Sequence, residues 1–189
     1  FVFQKIKQMA KIVFLILPNV HLLDLAGADQ VFYEAIGYGA DITVEYCSYT
    51  EGVATSTHLP FGSLKHFSAV SLKKGDYIIV PGADSRYLLS KELLAEKDLF
   101  EWIIKAHEQK ITLCSICTSA FFLGLAGLLN GKKCTTHWQL TSQLQAKFPK
   151  AKVLENILFV EDSGIYTSAG VTAGIDLALH ILCLMKDDC

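Results

Sequence analysis

Short apolar runs alternate along this chain with stretches in which apolar residues recur every three or four positions. Lys11 to Leu17 is a continuous β-favouring run closed by Pro18-Asn19, the pattern of a central strand buried on both faces. Leu22 to Ile36 then places Leu25, Ala28, Phe32 and Ile36 on one helical face, and Gly37-Tyr38-Gly39 ends it. Ile42 to Ser48 alternates as a second strand, and Val53 to Phe67 reads as a hairpin or short strands. Asp76 to Pro81 predicts another buried strand, followed by a helix over Glu92 to Gln109 with Leu94, Phe100, Ile103 and Ile104 as its apolar face.

The segment ITLCSICTSAFFLGLAGLL, Ile111 to Leu129, changes period in its middle. Ile111 to Ile116 fits a buried strand. Phe121, Leu125, Leu128 and Leu129 then fit one face of a helix. After the turn at Asn130-Gly131 come a short segment, Cys134 to Trp138, and a helix over Leu140 to Phe148 stopped by Pro149. Val153-Leu154, Leu158 to Glu161 and Ile165 to Thr167 predict strands, with a tight turn at Asp162-Ser163-Gly164. Gly170 precedes a closing helix whose predicted core stripe is Ile175, Leu179 and Leu182. Strands alternating with helices define an α/β three-layer sandwich, a mostly parallel sheet covered on both faces. With no repeat or linker in 189 residues, a single domain over 1–189 is expected.

Composition narrows the class. Half the residues are hydrophobic and the formal net charge is −2, which excludes a disordered chain and argues against an electrostatic grip on nucleic acid by this segment. A mean hydropathy of +0.35 predicts an apolar interface and a homodimer. The cysteines at 47, 114, 117, 134, 183 and 189 show no disulfide framework and read as reduced thiols of a cytoplasmic protein. The N-terminal lysines and apolar run imitate a signal peptide, but Ile12 to Leu17 is short and lacks a cleavage site. No apolar stretch reaches the roughly 20 residues that span a bilayer, so no membrane partner is expected. A start without Met and an end at Lys186-Asp187-Asp188-Cys189 suggest a piece of a longer protein.

The candidate chemistry gathers at the period change. Cys117 has Ser115 two residues before it and Ser119 two after, the small-x-nucleophile-x-small spacing of a nucleophile elbow. A thiol at a helix N-terminus is expected to fall below the usual value of about 8.5. Ligands of such sheets sit beyond the carboxyl ends of the strands. Asp24, Gly82 to Ser85 and Cys117-Thr118 all meet that criterion. Asp24 fits a general acid or base, an orienting carboxylate, or a carboxylate stabilising the helix start. Gly82 and Ala83 fit a backbone that passes close to a ligand. Thr118 offers a hydroxyl and an N–H where an oxyanion donor is needed. His137, within Thr135-Thr136-His137-Trp138, fits either a ligand-binding base or a structural histidine, and His21 is the weaker candidate near Asp24. Cys114-x-x-Cys117 stands without a second cysteine pair and Cys114 falls inside the strand, so no metal and no cofactor are expected.

Four blocks together resemble the ThiJ/PfpI superfamily: Leu22-Leu23-Asp24-Leu25-Ala26-Gly27; Cys117-Thr118 with Ala120 to Leu123 and Ala126 to Leu129; Thr135 to Trp138; and Thr167 to Leu179. The resemblance runs from Lys11 to Leu184 and implies a glutamine-amidotransferase-like sandwich, usually dimeric. Two branches fit. One is the N-terminal domain of AraC-type transcription regulators, which implies a small-molecule ligand at the Asp24/Cys117 pocket and DNA contact only through a helix-turn-helix part outside this chain. The other is isonitrile hydratase, whose catalytic set would fall on Asp24, Cys117 and Thr118. A third reading, redox sensing or damage repair, would oxidise Cys117 selectively. Thr118 stands where the peptidase branch usually has His, which argues against proteolysis. Ala28 stands where the first block often has Pro, and Ser119 where the elbow often has Gly.

Overall fold

The computed structural model describes residues 10–185. The expectations for the signal-like N-terminus and for the chain end at Cys189 lie outside these residues. Strand β1 (Ala10–Leu15) is followed by helix α1 (Leu22–Gly37) and β2 (Ile42–Ser48). A loop with isolated bridges leads to β3 (Lys65–His66), then to β4 (Tyr77–Val80). Three helices come next: α2 (Ser85–Leu88), α3 (Lys91–Ala95) and α4 (Lys97–Glu108). They lead to β5 (Thr112–Ile116), a 3-10 turn over Cys117–Ser119 and α5 (Ala120–Leu125). The chain continues through β6 (Lys133–Cys134), α6 (Thr141–Lys147), β7 (Lys152–Val153), β8 (Phe159–Asp162), β9 (Ile165–Ser168) and α7 (Thr172–Met185).

Seven strands form one sheet in the order β3-β2-β1-β4-β5-β9-β8, parallel throughout except for the β8–β9 pair. Its middle strands alternate between two cores, as the period of two dictates. Val13 and Leu15 of β1 and Leu113 of β5 face the helices between β4 and β5 and beyond, packing with Leu99, Ile103 and Phe121. Ile12, Phe14 and Ile116 face the other way, onto Leu25 and Phe32 of α1 and Leu177 and Ile181 of α7. This is the predicted sandwich, buried on both faces of its central strands.

Four predicted helices differ in detail, each for a packing reason. The Glu92–Gln109 helix is broken at Glu96. Ser90 caps the Leu93 N–H to start α3, and the face that α4 then buries is Leu99, Ile103 and Ala106, while Leu94 is exposed. The elbow helix stops at Leu125 instead of running to Leu129. Residues 120–124 are buried on every side, so no apolar stripe distinguishes its inner face, and Leu125 and Leu128 are only half-buried. In α7 the core stripe is Ala173, Gly174, Leu177, Ala178 and Ile181, with Leu179 exposed. Small residues there let the helix lie close to the sheet, and an almost wholly apolar helix hides which face is inward. In α1, Ala35 takes the buried place expected for Ile36.

Candidate functional site

The elbow is built by the two serines that flank Cys117 in sequence only as far as Ser119 is concerned. Its Oγ accepts the Ile116 N–H (3.0 Å) and donates to the Val80 carbonyl (2.5 Å), locking the end of β5 to the end of β4. Ser115 Oγ is buried without a hydrogen-bond partner. Cys117 itself has φ 59°, the left-handed region, where a non-glycine backbone costs about 1–3 kcal/mol and persists only when its surroundings hold it. Thr136 holds it by donating its hydroxyl to the Cys117 carbonyl (2.8 Å).

Two glycines make room for the thiol. A Cβ on Gly82 would lie 2.4 Å from Asp24 Oδ2 and 2.9 Å from Cys117 Cβ. Gly170, at φ +89°, presses so closely that a Cβ there would lie 2.3 Å from Cys117 Cβ. Val171 follows with φ 53°, rare for a β-branched residue, and donates its N–H to Asp24 Oδ1 (2.7 Å). Asp24, 2% exposed, thus pins a strained turn with one carboxylate oxygen. Its Oδ2 has no hydrogen-bond partner; His21 Nδ1 is 3.4 Å away without hydrogen-bond geometry.

The predicted site residues converge, with divided roles. Cys117, Asp24, Thr118 and His137 line one open cleft of about 470 Å³, within the range of small-molecule sites. Gly82 and Ala83 are not among its lining residues. The Gly82 carbonyl accepts the His21 N–H (2.7 Å), and both polar groups of Ala83 are taken by Thr118, whose Oγ1 accepts its N–H (2.9 Å) and donates to its carbonyl (2.6 Å). Contrary to expectation, the Thr118 hydroxyl is therefore committed to the fold rather than free for a ligand. The expected acidic thiol is also reversed. Burial first, then the Asp24 charge, push the Cys117 thiol well above its ordinary value, against a weaker opposing pull from the Thr118 N–H. The helix after it is only six residues long and cannot offset that burial.

The cleft also takes in His21, Asp84, Arg86 and Val171. His21 ranked low by sequence although it stands three residues before Asp24, which is the spacing that stacks them at the start of α1. Asp84 caps α2 and forms a two-point pair with Arg86 (2.7 and 3.2 Å), which holds its carboxyl down at about 2. The Val171 signal lay in the Thr167 to Leu179 block, but nothing local assigned it a role. His21, Asp24 and Cys117 each bring a ligand atom within 4.8 Å of the other two.

A mostly parallel sheet with a strained cysteine elbow at the carboxyl end of an inner strand, faced by a buried acid, defines a cysteine-elbow α/β domain. The DJ-1/PfpI family model matches residues 10–184, and the chain belongs to that family. It is 32% identical over 172 residues to isonitrile hydratase of Pseudomonas putida, covering 89% of this chain and 68% of that protein. It is 30% identical over 172 residues to the HTH-type transcriptional regulator CdhR of Pseudomonas aeruginosa, covering 89% of this chain and 48% of the regulator, so the chain spans about half of CdhR's length. The crystal structure of an AraC family transcriptional regulator from Pseudomonas putida superposes with a TM-score of 0.79 at 20% identity, covering 93% of this chain and 92% of that one, a likeness of fold. No helix among the described residues is long and apolar enough to cross a membrane.

Proposed function

We propose that this chain is the ligand-sensing domain of an AraC-type transcription regulator, that it works as a homodimer, and that it binds a small metabolite in the Asp24–Cys117 cleft. DNA is contacted by a part of the protein outside these 189 residues. The observation that carries this reading is the open cleft of about 470 Å³ that Asp24 and Cys117 share. Burial and the Asp24 carboxylate push the Cys117 thiol up, which suits a ligand contact better than a resting nucleophile. The cleft's mixed lining of His21, Asp24, Arg86 and His137 supplies the few polar groups that orient a small ligand. The relationship to CdhR supports the same reading.

Asp24 Oδ2, which has no hydrogen-bond partner and lies 3.4 Å from His21 Nδ1, favours one second reading, an isonitrile hydratase-like lyase. There Asp24 would take the Cys117 proton as Sγ bonds to the isonitrile carbon, then return it to that carbon to give a thioimidate. Water would add to the carbon, and Sγ would leave as the thiol with an N-substituted formamide as product.

Two measurements separate the readings. The reading frame beyond codon 189 is expected to encode two helix-turn-helix patterns in a basic segment; a stop codon within one helix's length overturns the regulator. Incubation with an alkyl isonitrile is expected to give no formamide above the Cys117→Ala background. Turnover that depends on Cys117 would establish the lyase instead.

A further inference from the structure

His21, Asp24 and Cys117 come from the start of α1 and the end of β5, and their donor atoms converge. The imidazole Nδ1, a carboxylate oxygen and Sγ all lie within 4.8 Å of one another. The carboxylate oxygen on the His21 side, Oδ2, is buried and has no hydrogen-bond partner, while Oδ1 is occupied by the Val171 N–H. Gly82 leaves the space around Oδ2 that any side chain would fill. One nitrogen, one oxygen and one sulfur donor around a common point is a ligand set for a borderline-soft divalent cation.

We propose that His21, Asp24 and Cys117 bind one Zn²⁺, with the fourth position open to the cleft. This goes beyond the sensing reading and holds for the three side chains whatever the cleft's organic ligand is.

Tetrahedral zinc needs donors about 2.0–2.3 Å from the metal and hence roughly 3.4–3.8 Å from one another. The widest separation, at most 4.8 Å, exceeds that by about 1 Å, while His21 Nδ1 already stands 3.4 Å from Asp24 Oδ2 on a side chain that is 36% exposed. The charge balance also fits. On binding, the Cys117 S–H bond breaks, Sγ–Zn forms and the proton passes to the buffer. The dication is then neutralised by one thiolate and one carboxylate, with His21 neutral. Three protein ligands with one open position is the arrangement of zinc sites that receive a further ligand rather than of purely structural ones.

The test is titration of the 189-residue chain with zinc alone, in competition with a chromophoric chelator, and with cobalt(II) for its thiolate-to-metal charge-transfer absorption. One equivalent is expected to bind. Loss of a supporting contact around a metal typically costs 10–100-fold in affinity, so removing a ligand should cost at least about 100-fold. Cys117→Ala and His21→Gln are expected to show that loss, and Cys183→Ser is expected to bind as wild type does. His21→Gln alters a partly exposed side chain and decides the matter even where Cys117→Ala fails to fold. No zinc retained by the wild-type chain, unchanged affinity in His21→Gln, or a cobalt charge-transfer band lost in Cys183→Ser would each overturn the site. None of these readouts uses isonitrile turnover or DNA, so failure here and failure of the sensing reading are seen separately.

Discussion

Cys114 and Cys117 stand three residues apart on the same strand and its exit, and both thiols are pushed up first by burial, to which only Cys117 adds a neighbouring charge. Cys114 lies in the body of β5, fully buried in the core shared with α1 and α7, and burial alone raises it. Cys117 lies at the carboxyl edge, in a left-handed backbone, against Gly170, with the Asp24 carboxylate adding to burial. The strand body keeps regular extended backbone and departs from the rules of a buried parallel sheet only in the unbonded Ser115 hydroxyl. The edge violates several at once: two strained non-glycine residues, a partnerless carboxylate oxygen and a thiol beside an acid. Such a concentration of cost at one end of the sheet marks the place where the fold serves something other than its own stability.

The largest expected effect comes from filling the contact that makes the edge possible. Gly170→Ala puts a Cβ 2.3 Å from Cys117 Cβ and 2.7 Å from its Cα, at a φ of +89° that L-residues rarely adopt. Backbone strain and overpacking together should cost roughly 2–6 kcal/mol. At about 2–4 °C per kcal/mol for a chain of this size, the thermal midpoint should fall by at least about 4 °C. Cys114→Ala, which removes one sulfur from the strand body, should cost less. A Gly170→Ala protein that melts with the wild type would show that the turn is not held against Cys117 and would dissolve the contrast.

The same contrast explains what could be read from sequence. The sheet, its parallel order of elements and its doubly buried middle were legible because continuous apolar runs and helical spacings report burial directly. Cys117, Asp24 and the approach of the Gly82 loop were legible because elbows and strand ends have local signatures. The inward faces of α7 and α5 were not, since helices apolar on nearly every side carry no directional signal. The committed hydroxyl of Thr118, the raised thiol and the role of Val171 were hidden for another reason. Each depends on partners far away in sequence, Thr118 on Ala83 and Val171 on Asp24, 147 residues apart.

A smaller effect separates the two thiols by pH. Burial holds Cys47 up at about 12 and Cys134 at about 11, and Cys114 and Cys117 are raised further. In the unfolded chain thiols titrate near about 8.5, so above that pH the unfolded state loses protons that the native state keeps. Stability contributed by these protonated thiols is therefore complete below about pH 8 and falls as pH rises, by up to about 1.4 kcal/mol per pH unit for each thiol. Denaturant midpoints from pH 7 to 10 should show the decline, and Cys114→Ala should make it shallower. Asp24→Asn should shift only Cys117. With the carboxylate charge gone, its iodoacetamide alkylation should begin at lower pH, while Cys114 stays unreactive. Alkylation of Cys117 unchanged by Asp24→Asn would mean that burial alone governs both thiols, as in the strand body.

The smallest effect lies at the outer rim of the cleft, where the edge meets solvent. Asp84 accepts the Arg86 backbone N–H (2.8 Å) and the two side-chain bonds from its guanidinium, and the side-chain pair is the larger cause of its low carboxyl value of about 2. A depressed carboxyl contributes stability above its unfolded value of about 3.9 and loses it as pH falls from there towards about 2. Because Arg86 is almost fully exposed, water and salt screen the pair, and its contribution to stability should be too small to detect at neutral pH. Arg86→Gln should therefore leave the thermal midpoint at pH 7 unchanged. The Asp84 carboxyl, followed by NMR, should titrate higher than in the wild type but still below about 3.9, because the backbone N–H at position 86 still caps it as the first turn of α2 begins. A fall in stability at pH 7 would place Arg86 with the strained interior of the edge, whereas an unmoved titration would mean that the cap alone sets Asp84.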